Sequence, residues 1–304
     1  MNYNLITVLG PTACGKTKLA AALADYYEGE IISADSRQIY KRMNIGTGKD
    51  LQEFLINGRP VPYHLIDIVE PEEEFNLYLF KEHFSKAFQS IIAKQKTPFL
   101  TGGTGLYLSS VLQKYKLTKT DFNTDRKDEL ENFSEEKLLG LLRFLNPNLH
   151  NTTDLLDKER LIKAIIVAEA DPEEEADKSV PVSSFTIGIQ PERKIVKERI
   201  SERLKHRLQN GMIEEVEQLV ADGITFEKLN FFGLEYRYIG LYLQKELNYN
   251  DMFQKLQSAI HQFAKRQMTW FRKMEREGVV INWLPEADFE EAKNLIESKC
   301  PLFR

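Results

Sequence analysis

The chain has 304 residues, of which 42% are hydrophobic and 29% are charged, and its formal net charge is −5. This composition predicts a soluble globular protein with a substantial core, and no apolar run approaches the roughly 20 residues that span a bilayer. The acidic balance excludes a wholly basic polynucleotide binder but allows a local basic face. Only Cys14 and Cys300 are present, and no secretory leader precedes the first strand, so we expect a cytoplasmic protein without a disulfide framework.

The amino-terminal segment predicts a strand, a glycine-rich loop and a helix in succession. Residues 5–9 are apolar, and residues 18–24 are strong helix formers. Between them, GPTACGKT matches the phosphate-loop pattern G-x-x-x-x-G-K-[ST]. In such a loop the backbone N–H groups surround phosphate oxygens, Lys16 adds a positive charge and the Thr17 hydroxyl can bind Mg²⁺. The predicted diphosphate-binding residues are Gly10, Pro11, Thr12, Ala13, Cys14, Gly15, Lys16 and Thr17.

Strand-like and helix-like segments alternate along the next part of the chain. Short apolar runs predict further parallel strands at residues 30–34, 64–68 and 98–101. Helical composition predicts helices at residues 77–94 and 106–113. This alternation is typical of a parallel sheet covered by helices, in which ligands bind at the carboxyl ends of the strands.

After residue 115 the composition becomes charged and rich in leucine. It predicts helices at 126–144 and 154–170 and then an acidic, solvated linker at 171–177. A last strand at 185–189 returns to the sheet, and long helices follow at 192–209, 214–221 and 251–277. We therefore predict an α/β fold, a parallel P-loop sheet wrapped by helices. Its core is formed by residues 1–115 and 182–304, and residues 116–181 form a helical insertion domain.

Polar side chains follow the second and fourth predicted strands. Asp35 lies at the carboxyl edge beside the phosphate loop, where it is a candidate general base, although a carboxylate there could instead cap a turn. TGGTGLYL, from Thr101, opens a helix and suits a second phosphate or an acceptor, although glycine turns of this kind are often purely structural. Asp67 could hold Mg²⁺ through water or could satisfy backbone groups at a strand end.

Two helices carry basic faces. Lysine and arginine outnumber glutamate between residues 193 and 207. In the last long helix, the spacing predicts a core face of Leu256, Ile260, Phe263, Ala264 and Phe271. The opposite face then consists of Gln262, Lys265, Arg266, Thr269, Arg272 and Lys273. Such faces are usually just solvated, but beside a phosphate loop they could follow a polynucleotide backbone. The five histidines show no metal-ligand spacing, so no zinc site is expected.

Six segments, in order along the chain, resemble the bacterial tRNA dimethylallyltransferases. They are GPTACGKT, SADSRQIYKRMNIGTGKD from Ser33, HLIDIVEP from His64, TGGTGLYL from Thr101, ERLIKA from Glu159 and FAKRQMTWFR from Phe263. The chain departs from that pattern at Cys14, where the family usually has serine, and at Glu235, where a glycine commonly precedes the tyrosine. The zinc-finger extension of eukaryotic relatives is absent, so we expect the body of the protein to hold the tRNA.

The resemblance implies transfer of a dimethylallyl group from dimethylallyl diphosphate to N6 of the adenosine just 3′ of the anticodon. It implies that Mg²⁺ binds at Thr17 and that the catalytic residues are Asp35, Thr104, Lys16 and Arg237. It implies tRNA contacts by Asp35, Ser36, Arg37, Gln38, Thr104, Arg126, Glu159, Arg160, Gln262, Lys265, Arg266 and Gln267. Of these, the residue patterns alone favour only Asp35 and the basic helix. We expect a monomer that does not bind membranes.

Two other classes of function use the same features. A small-molecule kinase would bind ATP in the phosphate loop and use Asp35 to activate a hydroxyl acceptor, although no adenine-binding or arginine-lid signature is visible. A non-catalytic phosphate-ligand switch or RNA-binding module would need Asp35 only for binding. Prenyl transfer accounts for the phosphate loop, the carboxylate and the basic helices together.

Overall fold

A computed structural model of the chain describes residues 3–115, 117, 120, 122, 125–145, 158–170 and 181–300. The chain divides into two compact units, Met1–Tyr115 with Ser179–Arg304, and Lys116–Lys178. The acidic segment 171–177 and residues 154–157, which we expected to be helical, lie outside the described residues.

A six-stranded parallel sheet forms the centre of the first unit. Its order is β5-β2-β6-β1-β7-β8, and a two-stranded antiparallel hairpin, β3-β4, stands apart from it. The strands are β1 Leu5–Leu9, β2 Glu30–Ala34, β3 Leu55–Ile56, β4 Arg59–Pro60, β5 Tyr63–His64, β6 Pro98–Gly102, β7 Ser184–Ile189 and β8 Ile281–Leu284. Every residue of β1, β2 and β6 is buried, as expected for inner strands covered by helices on both faces.

Helices cover the sheet and form the second unit. They are α1 Lys16–Tyr26, α2 Leu77–Ala93, α3 Gly105–Leu112, α4 Asp125–Glu131, α5 Glu135–Leu145, α6 Lys158–Glu169, α7 Arg193–Gln209, α8 Met212–Ala221, α9 Phe226–Phe232, α10 Leu234–Leu243, α11 Tyr249–Arg276 and α12 Phe289–Lys299. The first unit has two separate hydrophobic clusters, and α4, α5 and α6 enclose their own around Leu138, Leu142 and Ile165. The predicted α/β fold with a wrapped parallel sheet is confirmed.

The structure differs from two of the expected elements and contains a strand that was not expected. The strand predicted at 64–68 is only Tyr63–His64, because Leu65 and Asp67 have φ angles of 63° and 55° and leave the extended conformation. The helix predicted at 126–144 is two helices, α4 and α5, and the Ser134 hydroxyl accepts a hydrogen bond from Lys137 N at 3.3 Å where the second begins. Strand β8, which extends the sheet beside β7, was not predicted.

One core residue of α11 was also wrongly placed by the spacing. Leu256, Ile260, Ala264 and Phe271 are buried as expected, but Phe263 is 38% exposed. The buried stripe continues through Gln267 instead. Phe263 therefore lies at the edge of the stripe, where the Arg266 guanidinium lies 5.9 Å from its ring centroid.

Candidate active site

The phosphate loop joins β1 to α1 in the conformation that its glycines allow. Gly15 has φ 86° and directly precedes Lys16, the first residue of α1. A Cβ atom on Gly10 would lie 2.7 Å from Cys14 Sγ and 2.8 Å from Ile189 O, so only glycine fits there. The loop therefore ends at a helix N-terminus, where free N–H groups and the helix dipole favour an anion. Burial raises the pKa of the Cys14 thiol, which keeps this cysteine protonated and inert.

One arginine of α7 contacts this loop, and a second contacts the segment that follows β2. Arg203 donates a hydrogen bond to Thr12 Oγ1, and Arg207, one turn later, is buried and lies 3.3 Å from Asp50 Oδ2. Burial lowers the pKa of Arg203 to about 10, with a further contribution from the charge of Arg207, so Arg203 stays charged at neutral pH. The phosphate loop thus has a second fixed cation besides Lys16.

Sequence analysis noted the basic character of α7 but missed the inward direction of these two arginines. Four apolar residues at intervals of four form the buried stripe of the helix, and they are Val196, Ile200, Leu204 and Leu208. Arg203 and Arg207 each directly precede a residue of this stripe. Their position beside the buried face was therefore visible in the sequence.

Gln267 on α11 connects the phosphate loop to the loop after β6. Its Oε1 accepts a hydrogen bond from Thr12 N at 2.8 Å, and its Nε2 donates to Gly103 O at 2.8 Å. A Cβ atom on Gly103 would collide with this amide. We had expected Gln267 to contact tRNA, but its side chain is buried and both ends of the amide are bound within the protein.

Asp35 lies in the turn after β2 with one carboxylate oxygen engaged. Asp35 Oδ1 accepts a hydrogen bond from Arg37 N at 2.9 Å, whereas Oδ2 has no partner among the described residues. The Thr104 hydroxyl accepts a hydrogen bond from Ser36 N at 3.0 Å, and Thr104 N donates to Ala34 O at 3.2 Å. Turn capping and availability of a free carboxylate oxygen, which sequence analysis weighed as alternatives, therefore occur together.

The next residues of the turn are held by the segment that follows them. Gln38 accepts from Ser33 Oγ at 3.1 Å and donates to Gly48 O at 3.0 Å, so its amide has one defined orientation. Lys49 is buried and donates to Asp67 Oδ1 and to the carbonyl oxygen of Tyr40. Burial lowers the pKa of Lys49, and the Asp67 carboxylate opposes that shift. Asp67, whose role was open, thus forms an ion pair with Lys49.

A further carboxylate lies beside the α7 arginines. Glu235 on α10 lines one cavity with Arg203 and Arg207, and the other walls are the apolar side chains of Ile200, Leu204, Met212 and Ile260. Burial raises the pKa of Glu235, although both arginines oppose the shift. Glu235, like Cys14, is a position where the sequence departs from the pattern of the family that it resembles.

The remaining predicted residues lie on α10 and α11 of the first unit and on α4 and α6 of the second. Arg237 is exposed on α10, and its guanidinium lies 5.9 Å from the Tyr238 ring centroid. Within the second unit, Arg126 pairs with Glu129 at 2.6 Å and with Glu169 at 2.5 Å. The other predicted tRNA-binding residues are exposed, namely Gln262, Lys265 and Arg266 on α11 and Glu159 and Arg160 on α6.

The described residues contain neither a membrane-spanning helix nor a cluster of metal ligands. None of the helices in that part of the chain combines the length and the apolar character needed to cross a membrane. No group of three or more histidine, cysteine, aspartate or glutamate side chains there could hold a metal ion.

Comparison with known proteins identifies the family. The model described as IPP transferase matches residues 38–274, and the one described as Isopentenyl transferase matches residues 3–61. tRNA dimethylallyltransferase 1 of Geotalea uraniireducens is 50% identical over 98% of this chain and 97% of its own length. tRNA dimethylallyltransferase 2 of Phocaeicola vulgatus is 47% identical over 98% of this chain and 99% of its own length.

Two solved structures resemble this one along most of their length. The tRNA isopentenylpyrophosphate transferase of Bacillus halodurans superposes with a TM-score of 0.71 at 30% identity, over 98% of this chain and 97% of that one. A eukaryotic dimethylallyltransferase acting on tRNA superposes with a TM-score of 0.74, over 97% of this chain and 78% of that one. Because its sequence identity is only 22%, this likeness supports the fold alone. With two family models and relatives at about half identity across nearly its whole length, the chain belongs to the tRNA dimethylallyltransferase family.

Proposed function

We propose that the chain transfers a dimethylallyl group from dimethylallyl diphosphate to N6 of the adenosine 3′ of the anticodon in tRNA, giving N6-isopentenyladenosine. The observation that carries the proposal is a continuous set of hydrogen bonds. Gln267 joins Thr12 of the phosphate loop to Gly103, and the adjacent Thr104 binds the turn of Asp35. A donor's phosphates and a proton acceptor would therefore sit on adjoining, mutually fixed loops.

The donor half of the reaction needs stabilisation of a leaving diphosphate. As the C1–O bond breaks, negative charge grows on the diphosphate while C1 becomes electron-poor. The N–H groups at the start of α1, Lys16 and Arg203 would bind that growing charge, which would lower the barrier without any covalent step. Arg203 thus takes the part that the resemblance gave to Arg237, whose side chain is exposed.

The acceptor half needs removal of one proton. The adenine N6 lone pair is delocalised into the ring, so the amine attacks C1 effectively only if its proton is accepted as the N–C bond forms. Asp35 Oδ2 is the proposed acceptor, because Oδ1 is already used in the turn. Thr104 and the turn residues Ser36, Arg37 and Gln38 would orient the target adenine.

Mg²⁺ is the proposed cofactor, and the residues present fit it. The Thr17 hydroxyl makes no side-chain hydrogen bond within the described residues, so its oxygen is available to a cation at the start of α1. Mg²⁺ held by Thr17 and by phosphate oxygens would supply neutralising charge to the leaving group.

The exposed residues of α11 and α6 are the proposed tRNA contacts outside the catalytic loops. Lys265, Arg266, Arg126 and Arg160 would bind phosphates, and Gln262 and Glu159 would contact other polar groups of the tRNA. A monomeric, cytoplasmic enzyme remains our prediction. The kinase alternative is not favoured, because relatives at about 50% identity are tRNA dimethylallyltransferases.

The test of the proposal is a donor comparison. The protein is incubated with unmodified tRNA and Mg²⁺ and either dimethylallyl diphosphate or ATP, and the nucleosides are analysed by mass. We expect one adenosine to gain an isoprene unit with the diphosphate alone. Consumption of ATP with a small hydroxyl compound, and no change in tRNA, would show that the proposal is wrong.

A further inference from the structure

Phe231, near the end of α9, leaves a large aromatic surface in solvent. Its neighbour Phe232 is 1% exposed, whereas Phe231 itself is 49% exposed. Burying an aromatic side chain favours folding, so an exposed ring leaves much of that gain unused. A single exposed ring is common on protein surfaces, and its surroundings decide whether it has a use.

Two cations lie beside this ring. The Arg37 guanidinium is 5.1 Å from the ring centroid, and the Lys228 ammonium is 5.4 Å from it. The ring also meets Tyr40 edge to face, at 6.4 Å and 81°. An aromatic face next to two positive charges suits a base that carries its phosphates with it.

The position of the ring relates it to the proposed site. Arg37 is the residue whose backbone N–H binds Asp35 Oδ1 at 2.9 Å, and its guanidinium lies beside Phe231. The ring therefore contacts the side chain of Arg37, which belongs to the turn that holds Asp35, the proposed general base. A nucleotide next to the target adenosine would come within reach of it.

We propose that Phe231, together with Arg37 and Lys228, is a stacking platform for an unpaired tRNA base adjacent to the target adenosine. The proposal rests on the proposed function and extends it. An adenosine that enters an enclosed site must leave the stack of the anticodon loop, which uncovers a face of its neighbour. Phe231 would replace that lost stacking contact, while Arg37 and Lys228 meet the flanking phosphates.

Tyr26, on α1, offers a matched control. Tyr26 is also 49% exposed, and the Lys293 ammonium lies 5.0 Å from its ring centroid. It occupies the last position of α1, the helix whose first residue is Lys16 of the phosphate loop. The two rings are therefore equally exposed and each has a cation nearby, but Phe231 has a second cation and lies beside the turn of Asp35.

The experiment measures equilibrium binding of a labelled anticodon stem-loop RNA to the wild type, Phe231→Ala, Phe231→Trp and Tyr26→Ala. Loss of one base-stacking contact should weaken binding about 5- to 100-fold in Phe231→Ala. Phe231→Trp should bind the RNA at least as tightly as the wild type, and Tyr26→Ala should bind it with the affinity of the wild type. The KM for dimethylallyl diphosphate should be unchanged in all three variants.

Three results would overturn the platform. They are equal RNA affinity of Phe231→Ala and the wild type, an equal defect in Tyr26→Ala, and a defect in Phe231→Trp as large as that in Phe231→Ala. A wild type that binds the RNA with the expected variant pattern but transfers no prenyl group would instead contradict the proposed function and support the platform. The failures of the two proposals are therefore distinguishable.

Discussion

Asp35 illustrates how one side chain can serve both the fold and the proposed chemistry. Its two carboxylate oxygens are not equivalent, because Oδ1 accepts a hydrogen bond from Arg37 N and Oδ2 has no partner among the described residues. Replacement of the carboxylate by an amide separates the two tasks. The amide oxygen can still accept from Arg37 N, but the amide nitrogen cannot accept a proton.

Asp35→Asn should therefore retain the affinity for tRNA and for dimethylallyl diphosphate and lose about 10²- to 10⁴-fold in the rate of prenyl transfer, the usual scale for a general base. Single-turnover kinetics with saturating substrates measure this rate directly. A rate close to that of the wild type would reduce Asp35 to a residue of the turn.

Arg203 gives a second prediction at the same scale. Arg203→Gln keeps a donor for Thr12 Oγ1 but removes the charge beside the phosphate loop. We expect a higher KM for dimethylallyl diphosphate and a lower kcat, because the charge meets the phosphates before and during bond breaking. Arg237→Gln is the control, and its exposed position predicts donor kinetics like those of the wild type. If Arg237→Gln instead raises the KM and lowers the kcat more than Arg203→Gln does, Arg237 is the residue that binds the diphosphate.

At the scale of elements, three helices bring their side chains to the edge formed by β1, β2 and β6. Helix α7 supplies Arg203, α10 supplies Glu235 and α11 supplies Gln267. Each of these residues lies at or beside the buried face of its helix. The sheet positions the phosphate loop and Asp35, and the helices supply the groups that fix them.

Glu235 should make the stability of the first unit depend on pH. Burial raises the pKa of its carboxyl above 4.5, against the charges of Arg207 and Arg203. A carboxyl that binds its proton more tightly when folded favours folding below its unfolded pKa and loses this contribution as pH rises through the folded pKa.

The wild type should therefore lose stability relative to Glu235→Gln as pH rises above the ordinary carboxyl pKa of about 4, because the amide has no proton to release. Urea unfolding midpoints of the two proteins across this range measure the difference. The raised pKa would be contradicted if the difference between the two urea midpoints were constant with pH. It would also be contradicted if the wild type became more stable relative to Glu235→Gln as pH rises.

Local patterns allowed much of this arrangement to be predicted, and long-range pairing set the limit. The strand, loop and helix around Gly10–Lys16 follow from adjacent residues, and so does the position of Asp35 after β2. Strand β8 has four residues, of which two are buried, and it joins the sheet only by pairing with Thr186 and its neighbours far back in the chain. Residues 279–284 are mostly β-branched or aromatic and lie between Gly278 and Pro285, which is a strand signal, but nothing local indicates that they pair with β7.

The same limit applied to the site. The resemblance implied that Gln267 contacts tRNA, although its distance from Ala264 and Phe271 places it on the buried stripe of α11. A buried glutamine needs partners, and those partners, Thr12 and Gly103, lie far away in the sequence. The positions beside the stripe were predictable, but the partners were not.

At the scale of the whole molecule, the protein has a net charge of −5 and is proposed to bind a polyanion. Binding must then depend on local basic surfaces rather than on total charge. Lys265 and Arg266, both exposed on α11, are the proposed phosphate contacts of the first unit. Each phosphate that they neutralise releases a counterion.

Affinity for tRNA should fall steeply between about 50 and 200 mM salt, by orders of magnitude if several cations engage the backbone. Removal of two charges in Lys265→Gln/Arg266→Gln should reduce the slope of log K against log salt by about 2. Lys255→Gln, an exposed lysine nearer the start of the same helix, should leave the slope unchanged. An unaltered slope in the double variant would place the phosphate contacts elsewhere.

The most direct test of the account concerns the atom that is modified. Two anticodon stem-loop RNAs are compared with dimethylallyl diphosphate and Mg²⁺, one with adenosine just 3′ of the anticodon and one with a purine lacking the exocyclic amine there. We predict that mass analysis finds one added isoprene unit in the first RNA and none in the second. Prenylation of both RNAs, or of neither while the protein uses ATP, would contradict transfer to N6 by the site built around Asp35 and the phosphate loop.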